Sequence, residues 1–288
     1  MKPSQSLFLE VRGLRYHVRR WPREGARKLF LLHGWMDVSA SFQFIADALQ
    51  GEWDVYAPDW RGYGLTQWGK ADCYWFPDYN ADLDFLLEKL EPGVAVHLVG
   101  HSLGGNVACM YAGIRPQRVA KLVNLEGFGL KPTRAEEAPG RYARWLDELH
   151  DRPRLRPYRD FDELAERLRR GNPRLSSERA AFLARHWGHA AGADGVLLRG
   201  DPAHKIVNPV LWRYEEVLAC WERISAPVLW VDAAESDSLK RMGLTREDHA
   251  QRRAAFRNLH YETVAGAGHM LHHDQPEAVA RLIEEFLR

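Results

Sequence analysis

Val99-Gly100-His101-Ser102-Leu103-Gly104-Gly105 is the stretch on which the reading of this chain turns. Val94 to Val99, before it, has the apolar character of a buried strand. Asn106-Val107-Ala108-Cys109-Met110-Tyr111-Ala112, after it, has the small and apolar residues of a buried helix. Gly-x-Ser-x-Gly set between a strand and a helix reads as a nucleophile elbow, a sharp turn that presents a serine hydroxyl at its tip. Glycine is required at 100 and 104 because side chains there would strike the neighbouring strand and helix. The turn also sets the amide of Leu103 at a helix N-terminus, where an oxyanion can be bound. Alone, the pentapeptide is equally compatible with a plain tight connection. The stretches around it decide between the two.

Working outward, Lys28 to Leu32 is a continuous apolar strand that ends in His33-Gly34-Trp35-Met36-Asp37. A buried parallel strand followed by a glycine turn is where a doubly wound sheet offers backbone amides to a ligand. Ser41 to Leu49 has helical spacing, and Trp53 to Ala57 is a strand running into Pro58-Asp59-Trp60-Arg61-Gly62-Tyr63-Gly64-Leu65-Thr66. A helix over Tyr79 to Leu90 precedes the elbow, and a strand over Val119 to Leu125 follows its helix. At the N-terminus, Leu7 to Val11 and Leu14 to Val18 flank Arg12-Gly13 as an opening hairpin. Beyond residue 217 the alternation resumes with Pro227 to Val231, the helix Arg246 to Arg257, the strand Leu259 to Val264 and an amphipathic helix from Pro276 to Leu287. The expected fold is therefore α/β, a mostly parallel doubly wound sheet with helices on both faces.

Between Gly129 and Val217 the apolar strands disappear. The segment is rich in Arg and Glu, helical in pattern and punctuated by Pro132, Pro139, Pro153, Pro157, Pro173, Pro202 and Pro209. It reads as a helical insertion that divides the core into residues 1–128 and 218–288, with the cap at 129–217. Its arginines alternate with acids such as Glu136, Asp147, Glu163 and Glu166, the pattern of a solvated helical surface, not of a nucleic-acid patch. A formal charge of +1 gives no general attraction to nucleic acid or to an anionic membrane. Cys73, Cys109 and Cys220 are scattered, odd in number and without metal spacing, which fits reduced thiols and a cytoplasmic location. The chain starts without a signal-like apolar core, and no run approaches the ~20 apolar residues of a membrane span. Eleven tryptophans imply a broad apolar interior or pocket.

Taken together, Leu32-His33-Gly34-Trp35, Asp59-Trp60-Arg61-Gly62-Tyr63-Gly64, Gly100-His101-Ser102-Leu103-Gly104-Gly105 and Gly266-Ala267-Gly268-His269 resemble the α/β-hydrolase superfamily. The likeness covers both outer segments, and the insertion corresponds to the family's variable cap. Within the superfamily the chain looks most like the capped esterases, epoxide hydrolases and haloalkane dehalogenases. The last two groups use an aspartate in the elbow, and the serine at 102 sets this chain apart from them.

A serine hydroxyl needs a base, and the base needs a carboxylate to fix its tautomer. His269, in the glycine-rich loop after the last strand, is the expected base. Reading His269, His272 and His273 as a metal cluster fails for want of a carboxylate or cysteine partner at suitable spacing. The expected acid is Asp237, in the loop Asp232-Ala233-Ala234-Glu235-Ser236-Asp237, where the family usually places it. Glu126, at the end of the strand after the elbow helix, is the competitor, at a site that resembles the one used in some dehalogenases; Glu235 and Asp232 rank behind. The amides of Trp35 and Leu103 are the expected oxyanion hole. His33 is read as structural, and Asp59 with Arg61 as an internally paired turn. Trp35, Met36, His101 and Trp75 are the expected pocket residues, with Trp68, Tyr74 and Phe76 as further aromatics nearby. The resemblance implies a serine hydrolase of the carboxylesterase type that acts on a small or medium, largely apolar ester and needs no cofactor or metal. The alternatives are a carbon-carbon bond hydrolase of a diketone acid and a receptor-like member with little turnover.

Overall fold

A computed structural model describes residues 1–288, the side chain of Ala193 excepted. Ten strands occur among the described residues: β1 Gln5–Val11, β2 Leu14–Trp21, β3 Arg27–Leu32, β4 Trp53–Pro58, β5 Val96–His101, β6 Val119–Leu125, β7 Gly188–Ala190, β8 Val196–Leu198, β9 Val228–Ala233 and β10 Leu259–Val264. The α-helices are α1 Gln43–Ala48, α2 Phe76–Leu90, α3 Leu103–Ile114, α4 Ala138–His150, α5 Phe161–Gly171, α6 Ser177–Trp187, α7 Tyr214–Trp221, α8 Ser238–Arg241, α9 Arg246–Ala254, α10 Leu271–Asp274 and α11 Pro276–Leu287. None is long and apolar enough to cross a membrane.

Eight strands form one sheet in the order β1-β2-β4-β3-β5-β6-β9-β10. The six from β4 to β10 are mutually parallel, and the β1–β2 hairpin joins antiparallel at one edge. The continuous apolar runs of the central strands follow from burial on both faces. In β3, Leu29 and Leu31 enter the core under α1 and α11, whereas Phe30 and Leu32 enter the core under α2, α3 and α7. The chain order reverses between β3 and β5, so the loops leaving these two strands diverge to opposite faces and leave a crevice at the carboxyl edge of the sheet. His33-Gly34-Trp35 leaves β3 there, and the Ser102 turn leaves β5 beside it.

Segment 129–217 is less purely helical than its composition suggests. It holds α4, α5 and α6, and also the β7–β8 hairpin. That hairpin is only three residues per strand, and a Cβ at Gly188 would press on Val196, so this short pairing carries no alternating apolar signature. The last helix, α7, runs across residue 217 and packs on α3 with Trp221 buried in the core beneath.

The elbow glycines meet backbone, as expected. A Cβ at Gly100 would run into the carbonyl of Gly104, and a Cβ at Gly104 into the carbonyl oxygen of Leu32 on β3. Neither neighbour is a flexible side chain that could yield. Gly104→Ala should therefore lower the unfolding free energy by about 3 kcal/mol or more in urea denaturation. Gly69→Ala, where the nearest neighbour of a new Cβ is 3.9 Å away, should stay within about 0.5 kcal/mol of wild type.

Candidate active site

Ser102 stands at the tip of the β5–α3 turn with φ 52° and ψ −112°, a left-handed conformation that a non-glycine residue holds only under constraint. The constraint is visible: its amide donates to the carbonyl of Leu125 on β6 at 2.9 Å, and its carbonyl accepts from Asn106 at 3.0 Å. Leu103 opens α3, so its amide has no acceptor within the helix. Trp35 borders the same cavity as Ser102 and Leu103, half exposed on the loop from β3.

His269 arrives on the loop after β10, which is closed by a hydrogen bond from the Gly268 amide to the Asp274 carboxylate at 2.9 Å. Its Nε2 lies 3.1 Å from Ser102 Oγ, and its Nδ1 lies 3.1 Å from Glu126 Oε2. A carboxylate can only accept, so Nδ1 carries the proton and Nε2 presents a lone pair to the serine hydroxyl. Below the site, His101 Nε2 donates to the carbonyl of His269 at 2.7 Å and holds the loop against β5.

The acid in contact with His269 is Glu126, and not Asp237. Asp237 lies on the surface at the start of α8 and pairs with Arg241 at 3.1 Å. The loop 232–237 does come to the site, but it brings donors: the Ala233 amide reaches Glu126 Oε1 at 2.8 Å and the Ser236 hydroxyl reaches Oε2 at 2.5 Å. Glu126 is itself left-handed, with φ 56°. Asn124 holds that turn by a two-way bond, its amide group donating to the Gly127 carbonyl at 2.9 Å while its oxygen accepts from the Gly127 amide at 3.0 Å. Of the lower-ranked acids, Glu235 is bound on the surface by Arg174, and Asp232 is buried within β9, accepting from Trp230 and Tyr261 at 2.8 Å each. Burial and the Glu126 charge push the Asp232 carboxyl up to about 6.

Two expected pocket residues are elsewhere. His101 is buried behind the elbow, and Met36, also left-handed with φ 54°, lines a separate small cavity with Asp37 and Tyr63. Trp35 and Trp75 do line the cavity over Ser102, whose volume is about 500 Å³. Tyr74, Phe76 and Phe128 from the core and Ile206, Leu211 and Trp212 from the insertion complete its apolar wall. His204, which no signal in the sequence marks, lines it too, stacked between Tyr63 and Tyr74 at 3.7 Å from each ring. Burial lowers its pKa to about 3, so it faces the cavity as a neutral group. His33 is structural, accepting from the Trp60 amide at 2.9 Å and donating to the Gly34 carbonyl at 2.8 Å. Asp59 and Arg61 are not paired with each other: Asp59 binds His17 at 2.7 Å, and Arg61 binds Asp82 through two bonds.

Comparison with known proteins agrees with this architecture. Residues 28–276 match the family model for the alpha/beta hydrolase fold. A serine hydrolase-like protein of Danio rerio is 27% identical over 93% of this chain and 83% of its own length. The esterase YbfF of Escherichia coli is 24% identical over 90% of this chain and 92% of its own length. Among solved structures, the thioesterase domain from the curacin biosynthetic pathway superposes with a TM-score of 0.87 at 24% identity, covering 98% of this chain and 99% of that domain. With a sheet, an elbow and a family match that extend over most of its length, the chain belongs to the α/β-hydrolase fold family.

Proposed function

We propose that the protein is a serine hydrolase of the carboxylesterase type, cleaving a small or medium, largely apolar ester through an acyl-enzyme, with Ser102 as nucleophile, His269 as base and Glu126 as the orienting acid. The observation that carries this reading is the unbroken hydrogen-bonded series from Ser102 Oγ through His269 to the buried Glu126 carboxylate. Ser102 Oγ attacks the ester carbonyl as its proton passes to His269 Nε2, and Glu126 stabilises the imidazolium. The oxyanion is received by the amides of Leu103 and Trp35. Its collapse expels the alcohol, which takes the proton from His269. A water deprotonated by His269 then releases the acid and restores Ser102. The aromatic and aliphatic wall of the cavity favours an apolar substrate, with residues 129–217 acting as a cap that supplies part of that wall. The esterase and serine hydrolase-like relatives favour the same chemistry. Three free cysteines are in keeping with a reducing, cytoplasmic setting.

A carbon-carbon hydrolase acting on a diketone acid would use the same three residues and would need a cation for the substrate carboxylate. Arg141, which lines the cavity with its Nε held by the Asn208 carbonyl at 2.6 Å, is the residue that speaks for this second reading. Turnover of neutral esters against diketone acids separates the two. A receptor-like protein would turn over neither.

Ser102→Ala should eliminate labelling by a fluorophosphonate and the burst of product from a chromogenic ester, leaving a folded protein. Normal turnover in that variant would end the proposal. Glu126→Gln should lower kcat by about 10³ to 10⁴ with little change in KM, because the amide favours the wrong tautomer of His269 and removes the charge that balances the imidazolium. Asp237→Asn, at an exposed ion pair, should stay within about twofold of wild type.

The buried carboxylates also give a pH dependence of stability. Asp232 has a folded pKa of about 6, above the unfolded value of roughly 3.9, so the folded state favours its protonated form. The stability this contributes is complete below the unfolded value and is lost as the pH rises through about 6. Asp232→Asn should therefore raise the Tm relative to wild type at pH 7.5, and the gain should vanish near pH 4, as followed by calorimetry at the two pH values.

A further inference from the structure

Behind the elbow, on the side away from the substrate cavity, three buried side chains from distant parts of the chain converge. Asp37 comes from the loop after β3, His101 ends β5, and His272 lies in α10. All three are at most 2% exposed, and one ligating atom from each lies within 4.8 Å of the other two. Sequence spacing alone offers these histidines no suitable carboxylate or cysteine partner. The fold supplies one from residue 37.

The hydrogen bonds around the cluster are arranged in an unusual division. His101 spends Nε2–H on the carbonyl of His269 at 2.7 Å, which fixes its tautomer and leaves a bare lone pair on Nδ1. That Nδ1 has no hydrogen-bond partner among the described residues. Asp37 uses Oδ1 to accept from the Val38 amide at 2.7 Å and from the Ser41 hydroxyl, while Oδ2 has no partner. Neither nitrogen of His272 has one, and its Nε2 stands 3.8 Å from Asp37 Oδ2, too far for a hydrogen bond. One polar atom of Asp37 and one of His101 are thus held by backbone and hydroxyl partners, as hydrogen bonds orient the ligands of a metal site, while the other atom of each is left free. Lone pairs converging in a buried space need a cation or a donor between them.

We propose that Asp37 Oδ2, His101 Nδ1 and a ring nitrogen of His272 bind a divalent first-row transition metal ion, of which Zn²⁺ is the best fit. Two imidazoles and one carboxylate form a common zinc donor set, with water completing a four-coordinate shell. Ligand bonds of ~2.0 to 2.2 Å put neighbouring ligand atoms roughly 3.3 Å apart, so the observed cluster has to contract by about 0.5 to 1.5 Å. The ion is structural. It ties the end of the strand that leads into Ser102 to the segment just after His269, and it does not touch the substrate cavity. The site is independent of the hydrolase reading, because its test measures metal and not turnover.

Protein stripped with EDTA and dialysed against Zn²⁺ should retain one equivalent by elemental analysis, with a raised Tm. Zinc-edge X-ray absorption of that wild-type protein should show two imidazoles with nitrogen at about 2.0 to 2.1 Å. Asp37→Asn and His272→Gln, checked for folding by circular dichroism, should lose the zinc, whereas His269→Ala should keep it. The proposal is overturned if wild type takes up no zinc, in which case a protonated His272 or a water bridges the lone pairs. It is equally overturned by a shell with a single imidazole, by uptake that survives in both Asp37→Asn and His272→Gln, or by loss of zinc in His269→Ala, which would put the ion on the Ser102 site.

Discussion

A carboxylate with about 1% of its side chain exposed is tolerated only where the protein surrounds it with hydrogen-bond donors, and Glu126 is such a group. Its two oxygens receive the Ala233 amide, the Ser236 hydroxyl and His269 Nδ1–H. The first comes from the end of β9, the second from the loop after it and the third from the loop after β10. The backbone of Glu126 also donates to the Val231 carbonyl at 3.1 Å. One side chain therefore fixes where three strand ends stand relative to one another. His269 takes its tautomer from this contact, and Ser102 takes its acceptor from His269.

Backbone strain accompanies the arrangement. Ser102, Glu126 and Met36 are three of the four non-glycine residues with positive φ among the described residues, and each terminates a turn at or beside the carboxyl edge of the sheet. Such conformations cost about 1 to 3 kcal/mol each and persist where surrounding contacts over-determine them. Here the contacts are specific: Leu125 holds the Ser102 amide, and Asn124 clasps Gly127 across Glu126. The two turns brace each other, since a Cβ at either Gly105 or Gly127 would collide with the Asn124 side chain. Close approach of the elbow helix and the β6 turn leaves no room for anything larger.

The sheet and the elbow were legible in the sequence because their signals are local. Gly100 and Gly104 announce a close approach, and Leu29 to Leu32 announce a strand buried on both faces. His269 could be read from its place in a glycine loop after the last strand. The acid could not be settled in this way. Asp232 at the end of β9 and Glu235 and Asp237 in the loop after it make this stretch the natural place for the acid, yet only the folded backbone shows that Ser236 turns inward while Asp237 turns to Arg241. A local signal for Glu126 did exist: Asn124 and Gly127 flanking it are the residues that hold a left-handed turn. His204 and Asp37 were invisible for a different reason. Tyr79 beside His204 and His272 beside Asp37 lie more than a hundred residues away in the chain, so nothing near either residue marks what it faces across the fold.

The central claim is that the Glu126 carboxylate accepts the Nδ1 proton of His269, and this bond has its own spectroscopic signature. A proton shared between a histidine Nδ1 and a buried carboxylate is strongly deshielded and slow to exchange. One-dimensional proton NMR should show such a low-field resonance in wild type and in Asp237→Asn, and should lack it in Glu126→Gln. A resonance that persists in Glu126→Gln and disappears in Asp237→Asn would contradict the account.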